Sequence, residues 1–485
     1  MTRATWLAVL GIAMAYLLTI GSRGLNEPDE GRYAEIGREM AASGDWLVPR
    51  LNGIEHFQKP PLIYWATAAS IKVFGPYDWA ARLPSVLAAL GLIAATIWLG
   101  RELKDHQTGL LAGVIAASTL GVYLIGHLLT PDMLMAMWIA VALAAMARFH
   151  RTGASGHGYL VFLAAGLAFL TKGPMGFVVP AAAGIGLTIA VRKQGGRLGL
   201  PWVTGGILAL AIGLSWFFAV AARFPELQGY FLGDELVKRF ASKSHGRSRP
   251  FWFFLVILPL FMLPWSAMAI GLAKRTWHML RARRRLSPPQ AFLLAAVAIP
   301  FVVLSASGSK LPTYVLPLAA PLAVAIAWHL CGSGAFTPAT IRRVAVGSLG
   351  ICVLAAMLAN LAQPYLGRQA SVKPLAAIAR ARPGFDNAAL FACNVRAKGW
   401  EFYLGRVVHA NEAESDIVLP LRPEQQERMH DGTSALEKAM RAKPLAMGIL
   451  RQETYRKSFA PNGWRILGKA GDFLLVESPQ ATTMP

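Results

Sequence analysis

Residues 26–65 carry the acidic, basic and aromatic side chains that are best placed to do chemistry. Asp29, Arg32 and Tyr33 are three and four residues apart, so in a helix they share one face. Lys59 follows in the same segment. Together with acids and lysines of later segments, these side chains have the composition needed to hold a phosphate beside a carboxylate.

A helix must position these side chains, and the sequence predicts one that ends at Ser43-Gly44. Asn26 can cap it, and Pro28 suits its first turn. The acids of that turn, Glu30 among them, suit the positive end of the helix dipole. Periodicity alone equally allows an amphipathic helix that lies on a membrane surface with its charges solvated.

More candidate residues stand at the ends of later apolar runs. They are Asp132 directly after Pro131, Lys172 in LTKGPMG, Lys310 and Tyr314 in SGSKLPTYVLP, and His245 in the loop 222–250, together with Tyr64 of the first segment. Ionisable residues at membrane depth are costly and are functional candidates. A structural role remains open for each kind of residue. The acid could cap a helix, the lysines could extend to the membrane interface, the tyrosines could lie at that interface, and the histidine could be solvated. The convergence of two acids and three lysines on one predicted membrane face favours a site.

Composition defines the class of protein. Of 485 residues, 55% are hydrophobic and 15% are charged, and the mean hydropathy is +0.43, which excludes an ordinary soluble enzyme. The net charge of +22 comes mostly from short loops between apolar runs, as membrane insertion demands, so we predict no nucleic-acid partner. Three cysteines form no framework and imply no disulfide or cysteine metal site.

The apolar runs predict a polytopic α-helical membrane protein with about eleven or more spans. The N-terminal run is interpreted as an uncleaved first span. Basic residues gather in alternate loops, which places the N-terminus in the cytoplasm and the loop 22–83 outside it. The predicted spans are residues 4–21, 84–100, 107–126, 132–149, 159–171, 173–191, 201–221, 251–272, 290–306, 312–330 and 341–362.

The composition changes after residue 364. Short strand-like pieces then alternate with charged helical segments, which predicts a small α/β domain over 365–485. An odd number of spans places this domain on the same outer side as the first loop, in the periplasm of a Gram-negative cell. The transmembrane domain is accordingly 1–364. The four strand-like pieces read AALFACN, DIVLP, AMGIL and DFLLVES.

The segment PDEGRYAEIGREMAASGDWLVPRLNGIEHFQKPPLIYW closely resembles the first periplasmic loop of the bacterial lipid A aminoarabinose transferases. These are GT-C glycosyltransferases related to the protein O-mannosyltransferases. LTPDMLMAMW, LTKGPMG, RPFWFF and SGSKLPTYVLP are similar to later landmarks of the same family, in the same order. The resemblance covers about residues 1–330 and implies a GT-C fold in the bacterial inner membrane. It also implies a sugar donor linked to undecaprenyl phosphate and an inverting single displacement.

The resemblance implies roles residue by residue. Asp29 matches the essential acid of the first loop, and Asp132 matches a second important acid. Lys59 matches the lysine that binds the lipid phosphate. Among the other candidates, Arg32, Lys172 and Lys310 are expected to assist at the phosphate, and Glu30, Tyr33, Tyr64, His245 and Tyr314 to line the cavity.

No cofactor or metal is predicted. In aminoarabinose transferases a glutamate before the phosphate-binding lysine can hold zinc together with a histidine of the later loop. Here that position is Gln58. Glutamine is a poor zinc ligand beside carboxylate and imidazole.

Several functions remain open. We expect sugar transfer to a periplasmic acceptor, with lipid A phosphate favoured. An enzyme similar to the protein O-mannosyltransferases, with another acceptor, is the nearest alternative. A lipid-linked sugar transporter without catalysis should instead place its charges near the bilayer midplane between repeats. A receptor-like membrane module would not need paired acids beside lysines.

Overall fold

The computed structural model describes residues 3–231, 249–283, 285–332, 337–362, 365–367, 370–411 and 418–479. His245 lies outside these residues. The chain divides into two compact units. The apolar unit comprises residues 1–19, 59–63 and 84–356, and the mixed unit comprises residues 20–58, 64–83 and 357–485.

Helices account for most of the N-terminal three quarters of the described chain. In chain order the elements are α1 (Arg3–Leu18), α2 (Asp29–Ser43), β1 (Arg50–Leu51), β2 (Ile54–Glu55), α3 (Leu62–Phe74), α4 (Asp78–Leu103), α5 (His106–Ser118), α6 (Leu120–Gly126), α7 (Pro131–Thr152), α8 (Ser155–Lys172), α9 (Met175–Arg192), α10 (Trp202–Arg223), α11 (Phe253–Phe261), α12 (Ser266–Arg281), α13 (Pro288–Ala306), a 3-10 turn (Pro312–Leu318), α14 (Ala319–Gly332) and α15 (Pro338–Leu361).

These helices make the chain a membrane protein. Among the described residues six are long and apolar enough to cross a bilayer: α4, α7, α9, α10, α13 and the 3-10 turn continued by α14. The pair α5 and α6, bent by 62°, makes a seventh if it is one span. Every predicted span coincides with a helix or a helix pair, and the count of eleven stays a prediction.

Besides the span 107–126, which bends between α5 and α6, a second predicted span is broken in the structure. Residues 251–272 were expected to form a continuous helix, but α11 ends at Phe261 and α12 begins at Ser266. Pro264 lies between the two helices, and its missing N–H and its ring disfavour a continuous helix.

The C-terminal part of the mixed unit is built on a five-stranded sheet with the order β4-β3-β5-β7-β6. β4, β3 and β5 are parallel, whereas β7 is antiparallel to both β5 and β6. The elements are α16 (Lys373–Arg380), β3 (Ala389–Cys393), α17 (Gly399–Leu404), β4 (His409–Ala410), α18 (Gly432–Arg441), β5 (Ala446–Arg451), β6 (Arg465–Ala470) and β7 (Phe473–Glu477).

Both faces of the central strands are buried. In β3, Leu390 packs into one cluster with Trp400 of α17, and the next residue, Phe391, packs into another with Met440 of α18. This alternation is the period of a strand, and helices on both faces explain why β3 and β5 are nearly all apolar.

The first loop belongs to this mixed unit. The side-chain amide of Asn52, at the tip of the β1–β2 hairpin, donates to the carbonyl oxygen of Val408 (2.9 Å) and accepts from its N–H (2.8 Å). The Gln425 amide donates to the Gly53 carbonyl (2.9 Å). Contacts therefore unite residues 20–58 and 64–83 with the sheet, whereas the predicted boundary between 1–364 and 365–485 follows the membrane and stays a prediction.

Candidate active site

Helix α2 carries the first group of candidate residues. It begins at Asp29, with Pro28 rather than Asn26 at the N-cap, while the Asn26 carbonyl accepts the Glu30 N–H (3.1 Å). It ends at Ser43, as predicted, because Gly44 adopts a left-handed conformation (φ 71°) and returns its N–H to the Met40 carbonyl (3.1 Å).

Asp29 and Arg32 form a pair at the start of α2. An Asp29 carboxylate oxygen accepts a hydrogen bond from Arg32 Nη2 at 2.6 Å. The Asp29 side chain remains 57% exposed, compared with 20% for Arg32. The guanidinium also lies 5.4 Å from the Tyr33 ring, which packs on Tyr64 with ring centroids 5.7 Å apart. Asp29 is therefore an oriented carboxylate that solvent, or another molecule, can reach.

The neighbouring acid, Glu30, has different surroundings. Its side chain is 2% exposed and accepts hydrogen bonds from Arg23 (2.6 Å) and from Nε of Arg82 (2.7 Å). Burial opposes ionisation of Glu30, but the two arginines outweigh it and hold the pKa of this carboxyl below its usual range. These contacts place Glu30 in a buried ion-pair network with Arg23 and Arg82, whereas the partner of Asp29 is Arg32.

Arg82 is a buried residue that sequence reasoning missed. It is fully buried and donates further hydrogen bonds to the carbonyl oxygens of Arg23 (2.8 Å) and Gly24 (2.7 Å). Its signal in the sequence was a single arginine just before an apolar run, which resembles an ordinary residue flanking a membrane span.

Among the residues that the structure describes, Gln58 does not suit a zinc ion. Its Oε1 atom accepts from Arg32 Nη1 at 3.4 Å, so a guanidinium already lies beside this oxygen. An amide oxygen next to a positive charge is a weak zinc ligand.

Asp132 and Lys172 form the second group, within the apolar unit. Thr130 occupies the N-cap position of α7, so Asp132 lies in the first turn and is not the cap. Its carboxylate, 5% exposed, pairs with Lys172, the last residue of α8. The Lys172 ammonium also lies 4.8 Å from the centre of the Tyr314 ring. Two helix ends thus bring an acid, a lysine and a tyrosine together.

The two remaining lysines also belong to the apolar unit. Lys310 is 5% exposed and its ammonium donates to the Ser307 carbonyl at 2.5 Å. Lys59 is half-buried, directly before the Pro60-Pro61 pair that precedes α3. The predicted site residues are therefore divided between the two compact units, with Asp29, Glu30, Arg32, Tyr33 and Tyr64 in the mixed one.

The sequence is similar to a group of bacterial transferases. Residues 58–218 match the family described as dolichyl-phosphate-mannose-protein mannosyltransferase. An undecaprenyl phosphate-alpha-4-amino-4-deoxy-L-arabinose arabinosyl transferase of Sodalis glossinidius is 36% identical over 371 residues, which are 75% of this chain and 66% of that protein. The corresponding protein of Aeromonas hydrophila is 36% identical over 67% of this chain and 60% of its own length. The chain thus aligns with about three fifths to two thirds of these relatives.

The fold is similar to that of solved GT-C structures. ArnT from Cupriavidus metallidurans in the apo state superimposes with a TM-score of 0.80 at 25% identity, and its complex with undecaprenyl phosphate with 0.83 at 23%. All of each chain is covered in both comparisons. An archaeal oligosaccharyltransferase from Archaeoglobus fulgidus matches with a TM-score of 0.56 at 12% identity over 99% of this chain and 75% of that chain.

Proposed function

Because this chain belongs to the GT-C glycosyltransferases, in the group of the aminoarabinose transferases and the protein O-mannosyltransferases, we propose that it transfers a sugar from undecaprenyl phosphate to a periplasmic acceptor. Lipid A phosphate is the favoured acceptor. The reaction is an inverting single displacement: the acceptor oxygen bonds to the anomeric carbon as the bond from that carbon to the phosphate oxygen breaks.

The proposal includes a location. The enzyme lies in the bacterial inner membrane with about eleven spans and its N-terminus in the cytoplasm. The first loop (residues 22–83) and the C-terminal α/β domain (residues 365–485, the sheet domain) both lie in the periplasm. The donor reaches such a site through the bilayer, since its polyprenyl chain is a membrane lipid.

One observation of the geometry supports the catalytic part most directly. Asp29 is exposed and oriented by Arg32, whereas the adjacent Glu30 is sequestered in an ion-pair network. The Asp29 carboxylate is not buried in the fold and lies on a segment that resembles the first periplasmic loop of the family, so it is available to a substrate. Asp29 would stabilise positive charge on the sugar ring, or take the proton if the acceptor is a hydroxyl.

The departing phosphate needs a cation. Negative charge develops on its oxygen as the bond to the sugar breaks, and a lysine in a site of reduced dielectric stabilises that charge. We assign this role to Lys59, with Arg32, Lys172 and Lys310 as further candidates. A lipid A phosphate is already anionic and needs no deprotonation, so positioning would dominate with that acceptor.

The placement of charge in the apolar unit favours catalysis over transport. Asp132 lies in the first turn of α7 and Lys172 in the last turn of α8. A transporter would place such a pair near the bilayer midplane, where its discontinuous helices are interrupted.

A second acceptor class is a protein. The match of residues 58–218 to protein mannosyltransferases favours it, since those enzymes modify hydroxyl groups of proteins. Asp29 would then act as a base.

Mass spectrometry of lipid A and of periplasmic proteins, from cells with and without this protein, tests the proposal. A sugar on lipid A that disappears with the protein supports the favoured acceptor, and one on proteins supports the second. No change in either fraction, while undecaprenyl-phosphate sugar is present, would refute transfer to both.

A further inference from the structure

The sheet domain contacts the helix that carries Asp29. Gly31 of α2 faces Gly399, the first residue of α17, so closely that a Cβ on Gly31 would lie 2.3 Å from the Gly399 nitrogen. A Cβ on Gly399 would lie 2.2 Å from a Glu27 carboxyl oxygen. Because Gly31 has no side chain, the backbone of α2 approaches the backbone of α17. Because Gly399 has none, there is room for the Glu27 carboxyl.

A buried carboxyl joins the two helices at this point. Glu27 Oε1 accepts the Gly399 N–H at 2.9 Å, and Glu27 is 3% exposed. Burial, with Glu401 nearby, raises the pKa of Glu27 well above its usual range, although the Gly399 N–H and Lys398 oppose this shift and Glu30 adds to it. A buried carboxyl whose oxygen accepts a backbone N–H links the segment before α2 to the start of α17.

A second link lies one turn further along α17, on the same face as Gly399. The Tyr403 hydroxyl accepts the Leu25 N–H at 2.7 Å and donates to the carboxylate of Asp78. The short segment that precedes α2 is thus held at Leu25 by the Tyr403 side chain and at Glu27 by the Gly399 backbone.

We propose that α17 of the sheet domain positions the catalytic helix: Glu27, seated on the Gly399 N–H, fixes the first turn of α2 and with it the carboxylate of Asp29. This inference rests on the proposed function and assigns to the C-terminal domain a part in catalysis. Glu27 and Gly399 are positioning residues, since neither is placed in contact with substrate.

The mechanism of this effect is geometric. Asp29 follows Glu27 by two residues, so a shift of the Glu27 anchor displaces the Asp29 carboxylate relative to the sugar. Misplacement of a catalytic group by about 1 Å can cost about 100-fold in rate. Donor affinity is assigned mainly to Lys59, which lies outside α2, so it should change little.

The test uses the full-length enzyme in detergent with an undecaprenyl-phosphate sugar donor. Glu27→Ala removes the acceptor, and Gly399→Ala pushes the Glu27 carboxyl away. Both should lower kcat per folded molecule about 10- to 100-fold, with a change in donor KM of less than about threefold. Hydrogen exchange of the amides in residues 29–33 should become faster in both variants.

Two further variants provide rescue and control. Glu27→Gln has nearly the same shape and keeps an oxygen that can accept the Gly399 N–H, so it should retain at least about half of the wild-type kcat. Gly468→Ala is the matched glycine, in β6 of the same unit, where a new Cβ meets the flexible end of Ile378 at 2.6 Å. It should leave kcat and exchange in residues 29–33 unchanged.

Unchanged kcat per folded molecule in both Glu27→Ala and Gly399→Ala would overturn the proposal. A loss in Glu27→Gln equal to that in Glu27→Ala would do so as well, because the hydrogen bond would then not be the cause. A wild-type enzyme without transfer activity would instead refute the proposed function. Even then, hydrogen exchange would test the anchor. Faster exchange in residues 29–33 of Glu27→Ala and Gly399→Ala would support it, and unchanged exchange would contradict it.

Discussion

Two neighbouring acids of α2 show how burial separates chemical from structural roles. Asp29 is more than half exposed and makes an ion pair within its own helix turn, which contributes little to stability. Glu30 is buried, and it joins Arg23 to Arg82 across the first loop. The sequence predicts that both acids belong to a functional segment, but only the structure separates their surroundings.

The first prediction at this scale concerns Asp29. Asp29→Asn should lower kcat by about 100- to 10,000-fold, the usual contribution of a general acid or base, and leave thermal stability nearly unchanged. Initial rates of sugar transfer and thermal unfolding of the purified variant measure the two effects. Glu453→Gln is the control, because Glu453 also forms an exposed ion pair within one helical stretch, with Lys457. Full activity of Asp29→Asn would refute its role.

The second prediction concerns Glu30. Glu30→Gln should destabilise the protein by about 3–5 kcal/mol, because the charges of Arg23 and Arg82 would stay buried without their anion. Since the pKa of Glu30 is lowered in the fold, its stabilisation is fully present above the unfolded value near 4.5 and is lost progressively as the pH falls from that value through the lower pKa of the folded state. Thermal unfolding between pH 7 and pH 2 should show a larger loss of stability in the wild type than in Glu30→Gln, which retains only the contributions of the other carboxyls. An unfolding temperature equal to that of the wild type at pH 7 would contradict the prediction.

At the scale of elements, the sequence predicted the helices and strands that have a strong hydrophobic periodicity or a clear residue signal at their ends. The end of α2 at Ser43 and the strands β3, β5 and β7 were expected, because a glycine stop and nearly continuous apolar runs are local signals. β4 has only two residues, and β6 is a half-exposed edge strand with a glycine, so neither stood out. In the strand-like piece DIVLP, the described residues 418–420 form no strand.

Contacts between distant elements were beyond the reach of a single sequence. The glycines at 31 and 399 and the anchoring Asn52 are ordinary residues until the fold brings their partners to them. Asp132 and Lys172 are 40 residues apart and form an ion pair. The sequence predicted only that both lie at the same membrane face. Local patterns specify elements, whereas close approach of backbones depends on the tertiary arrangement.

The prediction at the scale of elements concerns the β1–β2 hairpin. Asn52→Ala removes both hydrogen bonds to Val408 and leaves buried backbone groups without their partners, which should cost on the order of 2–3 kcal/mol. Asn52 also has a positive φ of 56°, which alanine tolerates less well. Protease cleavage within residues 45–58 should become faster, as followed by mass spectrometry. The control is Asn387→Ala, at an exposed position. Equal cleavage rates in the two variants would show that the hairpin is not anchored through Asn52.

At the scale of the whole molecule, the mixed unit constrains the membrane topology. Residues 26–55 make direct hydrogen bonds to residues 399–425, so the first loop and the sheet domain must lie on one side of the membrane. The chain between residues 84 and 364 must therefore cross the bilayer an even number of times. The predicted spans number ten in that stretch, which agrees with this requirement independently of the charge distribution in the loops.

A reporter that is active only in the periplasm tests this arrangement. Fused at Pro485, it should be active, because one span precedes the first loop and an even number follows it. Fused after Gly195, in the basic loop that follows α9, it should be inactive, since arginine and lysine remain on the cytoplasmic side. Activity at Gly195 and none at Pro485 would reverse the orientation of the entire protein. Equal activity at both sites would contradict the number of crossings after α9, and with it the placement of the sheet domain beside a periplasmic first loop.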